Sequence, residues 1–164
     1  MSKPATTHDS RRVPTRSTLL LPEWLESGLL GGLAVAAVFF VRDSWLGEPL
    51  HTASVLGTLL LDGAAARQTT SAPGAAAIYN AVHFAIWVVL GLLGAQAARR
   101  AEDDTSLRWM PVALLVVVVL GLAGLDAIVR ETELTRSYLW LGGATGLIVV
   151  AGFLGWRHPA TFRR

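Results

Sequence analysis

Tyr79, Asn80 and His83 interrupt a long apolar stretch, and Tyr79, His83 and Trp87 follow one another at i, i+4 and i+8. That spacing stacks three side chains on one face of a helix. An imidazole beside a phenol can hydrogen-bond a quinone carbonyl, ligate haem or pass on a proton, while Trp87 packs a ring. Asp126 in a later apolar run and the adjacent Arg42 and Asp43 complete the set of polar groups among apolar neighbours. Polar groups are costly in lipid and pair with one another, so these should face each other.

Each chemistry makes further demands. A membrane haem site needs an opposing ligand, yet no other apolar run carries His or Met at its middle. His51 is the only positional candidate; His8 and His158 fall at the opposite end, and Met110 at the wrong end of its run. A quinone pocket built from His83, Tyr79 and Trp87 fits better, but the chain brings no redox centre to pass electrons on. A proton path would need polar groups beyond His83, where Val, Leu, Gly and Ala continue as far as Gln96. The simpler expectation is structural: a neutral His83 donates one ring hydrogen to Asp126 or to a backbone carbonyl. Such interhelical bonds contribute about 0.6 kcal/mol in membranes.

The elements that hold these groups are set by long charge-free runs. Gly74 to Ala98 contains no Asp, Glu, Lys or Arg over 25 residues, and Trp109 to Leu125 none over 17. Ser137 to Trp156 adds only Ser137, Tyr138 and Thr145 as polar residues. At about 1.5 Å of rise per residue, a helix of this length crosses a hydrocarbon core of about 30 Å. A first span from Pro22 to Trp45 is less apolar, since Arg42 and Asp43 fall at its far interface, where the arginine should snorkel outward. Pro22 suits a helix start, and Glu23 and Glu26 suit the positive end of the helix dipole.

The expected architecture is an all-α, integral membrane four-helix bundle, with spans near 22–45, 75–98, 109–129 and 137–156. A polar tail over 1–21 precedes it and a basic tail over 157–164 follows. Composition agrees, because 52% hydrophobic and 16% charged residues leave too little polar surface for a water-soluble domain of this size. The absence of cysteine excludes disulfides and thiolate-held metals. A net charge of +2 with scattered arginines does not describe a nucleic-acid binder.

Four crossings place both ends of the chain on one side. That side collects ten Lys and Arg (Lys3, Arg11, Arg12, Arg16, Arg99, Arg100, Arg108, Arg157, Arg163 and Arg164), and the other side has four. The imbalance predicts cytoplasmic N- and C-termini in a bacterial inner membrane. Trp24, Trp109 and Trp156 mark inner boundaries, Trp45 and Trp140 outer ones, and Trp87 alone lies mid-span.

Between the first two spans, His51, Ser54, Thr58 and Asp62 recur at steps of three and four, opposite Ala53, Leu56, Leu59 and Leu60. This predicts an amphipathic helix over about 49–61, on the outer membrane surface or dipping into it. Residues 67–74 should form a flexible link. Glu102-Asp103-Asp104 reads as a solvated turn, and Arg130, Glu131, Glu133 and Arg136 as a charge-balanced outer loop. Helices in lipid approach through small residues, and Gly28 with Gly32 and Gly142 with Gly146 form two GxxxG pairs, the second extended by Ala151 and Gly155.

Asp43, Gly47-Glu48-Pro49-Leu50-His51-Thr52, Leu56-Gly57, Tyr79, His83-Phe84 and Gly91 together resemble a group of small uncharacterised bacterial four-span integral membrane proteins. Those proteins carry a Gly-x-Pro-x-x-Thr loop segment and a Tyr-x-x-x-His transmembrane helix. The resemblance covers roughly residues 28–94. Ala53 departs from the usual proline, and Trp87 from the usual phenylalanine. It implies the four-helix architecture and a role for Tyr79 and His83, without an activity.

No nucleophile–base set, phosphate loop or metal-ligand spacing appears in the sequence. The expectation is a non-catalytic accessory subunit with no cofactor, packing in the bilayer against other integral membrane proteins, of an energy-converting complex, or against copies of itself. The alternatives are a quinone- or haem-binding redox subunit using His83, and a small transporter or sensor.

Overall fold

In lipid every backbone amide must find its partner within the segment, so each long apolar run closes its own hydrogen bonds as a helix. The computed structural model describes residues 21–63, 72–128 and 136–159. It has five α-helices and, among the described residues, no strand: α1 (Glu23–Trp45), α2 (His51–Asp62), α3 (Pro73–Asp103), α4 (Met110–Ile128) and α5 (Arg136–Arg157). All but α2 are long and apolar enough to cross a membrane. The chain is a multi-pass, all-α membrane protein. Residues 1–20, 64–71, 129–135 and 160–164 lie outside the described residues, and with them the N-terminal tail, most of the 67–74 link and the loop charges Arg130, Glu131 and Glu133.

Pro22 caps α1 in an extended conformation instead of opening it, and its carbonyl accepts the Leu25 and Glu26 amides at 2.9 and 3.0 Å. At the other end Gly47 takes a left-handed φ of 84°, and the Glu48 amide returns to the Asp43 carbonyl at 2.9 Å. A residue with a β-carbon is strained in that conformation. The chain therefore reverses within a few residues, and α2 begins beside the end of α1.

The helix α2 is more than a surface float. It packs on α3 with Thr52, Ser54, Val55, Leu56 and Gly57 buried, whereas Leu60 and Leu61 stay exposed. The simple division into a polar and an apolar face does not describe it. Gly57 lies directly against the Ala75 backbone, and the Ser54 hydroxyl donates to the Ala72 carbonyl at 3.4 Å, so small and polar residues form the contact face.

With 31 residues, α3 is about 46 Å long and outreaches the charge-free stretch by continuing through Arg99, Arg100 and Glu102. Good helix formers need not end a helix where the lipid ends. Crossing α1, α3 makes the most extensive contact in the bundle, followed by α1 with α5. Gly28 and Gly32 sit against the backbone of Trp87 and Val88 and against the Phe84 ring; Gly142 and Gly146 sit against Phe39, Val35 and the Trp87 ring. Both GxxxG pairs are thus contact points. Ala151, by contrast, is exposed, so the small-residue contact of α5 does not extend through it.

Trp87 is the centre of the core, 7% exposed, with Val35, Phe39, Val55, Leu56 and Leu139 around it. Trp45, Trp109 and Trp156 are largely exposed near helix ends. Both described ends of the chain meet at one end of the bundle, where Arg157 pairs with Glu26 at 3.1 Å and His158 with Glu23 at 2.6 Å.

Candidate functional site

At the end of the bundle that carries α2, two polar arrangements lie close together. The first belongs to the α1–α2 turn. Asp43, 2% exposed, accepts the Thr52 amide at Oδ2 (2.6 Å) and the Thr52 hydroxyl at Oδ1 (2.8 Å). Leu50 precedes α2 without a side chain that can cap it, so the carboxylate of α1 satisfies an amide in the first turn of α2. Arg42 Nη1 donates to Asp43 Oδ1 at 3.0 Å and to Thr52 Oγ1 at 3.3 Å. The expectation of an outward-snorkelling arginine fails here. A buried carboxylate in a low-dielectric setting needs a nearby countercharge, and Arg42, with a side chain only 14% exposed, folds inward to provide it.

The second arrangement is the Tyr79–His83–Trp87 face. His83 is buried, its Nε2 3.1 Å from the Gly32 carbonyl oxygen and its Nδ1 3.4 Å from the Tyr79 hydroxyl. A carbonyl only accepts, so Nε2 carries the hydrogen. In the neutral ring Nδ1 is then an acceptor, and the long Tyr79 contact is a donation from the phenol. The His83 ring also lies 5.5 Å from Phe84 and 6.3 Å from Trp87 between centroids, both edge-on. Of the two partners foreseen for His83, the backbone carbonyl is the one present. With both ring nitrogens engaged, ligation of a haem or metal would first break a bond between α1 and α3. His51, the positional candidate for a second ligand, faces Glu48 on the surface at 2.7 Å.

Asn80 lies one residue from Tyr79, and no described residue hydrogen-bonds its amide. It lines a cavity of about 470 Å³ between α1, α2 and α3, together with Asp43, Tyr79 and His83. A second cavity of about 500 Å³ lies between α4 and the rest of the bundle and is almost wholly apolar; Phe39, Tyr79 and His83 border both spaces. Asp126 borders neither. The expected meeting of polar groups therefore brings together Asp43, Tyr79, Asn80 and His83 but leaves Asp126 apart, and Trp87 faces the second cavity.

No protein-family model, curated protein or solved structure matches the chain.

A third polar group, not anticipated from the sequence, closes the opposite end of the bundle. His158 places Nε2 2.6 Å from Glu23 Oε1 and Nδ1 2.9 Å from Glu102 Oε2, which ties α1, α3 and the end of α5 together. Arg99 joins it through Glu23, and at the same end Arg157 pairs separately with Glu26, each at 3.1 Å. Glu102 is thus a tertiary partner and not merely part of a solvated turn. Asp104 does stand in water, where two hydrogen bonds from Ser106 hold its carboxyl below the ordinary aspartate range. The signal available for this cluster was the length of α3 beyond the lipid, which only the helix itself discloses.

Proposed function

We propose that this chain is a non-catalytic integral subunit that packs through α4 against a larger membrane protein. The observation that supports it is the state of the glycines. Gly28, Gly32, Gly57, Gly91, Gly142, Gly143 and Gly146 each meet a neighbouring helix so closely that a β-carbon would collide. Gly121 and Gly124 of α4 meet nothing within 4 Å. None of the side chains from Met110 to Ala127 is buried, and α4 touches α3 and α5 only lightly. In lipid, helices associate where small residues allow close approach, and the side of α4 around Gly124 offers such a surface with no neighbour among the described residues.

The excess of Lys and Arg on the side of the two termini supports insertion in a bacterial inner membrane with both ends cytoplasmic. Because the chain has no cysteine, single introduced cysteines report their side cleanly by labelling with an impermeant maleimide.

Photo-cross-linking tests the docking surface. A photoreactive residue at Leu120 or Gly124, on the side of α4 away from the second cavity, should in native membranes yield a discrete adduct heavier than twice the chain, while the same residue at Leu33 should yield lipid adducts only. An adduct at twice the mass of the chain would show self-association instead. Lipid adducts alone from every α4 position would overturn the accessory role.

A further inference from the structure

We infer that the cavity between α1, α2 and α3 holds one uncharged membrane amphiphile, whose hydroxyl or carbonyl head group hydrogen-bonds the Asn80 amide. This does not depend on the partner proposed for α4.

Depth makes the Asn80 amide informative. The midpoint of the charge-free stretch of α3 is Ile86, and a hydrocarbon core of about 30 Å centred there extends about ten residues either way. Asn80 then lies about 6 Å inside the boundary. Two donors and an acceptor at that depth have no hydrogen-bond partner among the described residues, and a head group in the cavity that Asn80 lines would supply one.

The walls narrow the chemistry. Apart from Asp43, the cavity is bounded by Leu33, Ala36, Phe40, Pro49 and Phe84 with the neutral Tyr79, Asn80 and His83. Arg42 is turned to Asp43 and Thr52, so that carboxylate is already answered, and among the described residues no cation on the wall is left for a phosphate. An anionic or zwitterionic head group therefore gains nothing here. A neutral one does: Asn80 can donate to a carbonyl or accept from a hydroxyl, and the Tyr79 oxygen, whose hydrogen points to His83, retains acceptor capacity.

Size and access agree. A volume of about 470 Å³ lies within the usual range for small-molecule sites and suits a ring or glycerol head with the start of a chain. Leu33 and Phe40, at the edge of the cavity, are 60% and 56% exposed on the lipid side. A tail can leave between them into the bilayer. Both a prenylated quinone and a diacylglycerol have this chemistry.

The test uses the full chain purified from membranes in a mild detergent, with solvent extraction and mass spectrometry of what accompanies it. Wild-type protein should retain close to one neutral amphiphile per chain. Asn80→Leu removes the amide and Ala36→Phe fills the space; each should lower that amount at least tenfold while leaving the unfolding temperature of the delipidated protein unchanged. Delipidated protein titrated with decylubiquinone in one arm and dioctanoylglycerol in the other separates the two sources, since only the true class should raise the unfolding temperature saturably. Enrichment of a phospholipid, retention unchanged in both variants, or no saturable response in either arm would overturn the inference.

Discussion

Gly28 and Gly91 face each other across the α1–α3 crossing so closely that a β-carbon on Gly91 would strike the Gly28 amide at 2.6 Å, and one on Gly28 the Trp87 carbonyl at 2.5 Å. Backbone meets backbone there. This crossing sets the separation at which Nε2 of His83 reaches the Gly32 carbonyl one turn away.

Gly28→Val or Gly91→Val should therefore part the two helices. Overpacking of this kind costs about 1–3 kcal/mol, and more when the obstacle is backbone. Unfolding in micelles should register the loss, with Gly152→Ala, which meets nothing, as the unaffected control.

Asp43→Ala removes the acceptor for the first turn of α2 and the countercharge of Arg42 together. Breaking a buried pair from one side costs about 3–5 kcal/mol. Thr52→Val, which keeps its amide on Asp43, should cost only about 1 kcal/mol. Equal effects in denaturant or thermal unfolding would mean that the carboxylate does not cap α2.

His83→Leu should cost little, about 0.6 kcal/mol, because a single interhelical bond is lost and its phenol partner can reorient. Nitrogen NMR of the ring should show the hydrogen on Nε2. A hydrogen on Nδ1 would contradict the donation to Gly32.

His158→Ala should loosen the end of the bundle that holds both termini, since Glu23 and Glu102 lose a shared partner, and protease access near residue 158 should rise. Arg99→Ala, removing a half-exposed cation from Glu23, should change stability by less than about 1 kcal/mol.

Asp104 gives a pH signature outside the membrane. Hydrogen bonds from Ser106 favour its charged form, so its folded-state value is depressed. The turn it holds should be intact above the ordinary aspartate value and should be lost as pH falls through the lowered one. Carboxyl carbon NMR of Asp104 reads this; titration at or above the ordinary aspartate value would refute it.

The long charge-free runs, the exposed tryptophans at helix ends and the paired glycines were legible in order along the chain, because each is a local pattern that lipid enforces residue by residue. The stacking of Tyr79, His83 and Trp87 followed from helical period alone. What tertiary structure decided was partnership. Asp43 finds Thr52 because Gly47 reverses the chain, His83 finds Gly32 because glycines bring α1 and α3 together, and His158 finds Glu23 and Glu102 because α3 outruns the lipid. Arg42 turned inward for the same reason: a carboxylate buried by packing outweighs the pull of the interface on a nearby cation. Solvent writes its demands into sequence period and composition; which donor meets which acceptor depends on crossing geometry, which no single segment encodes.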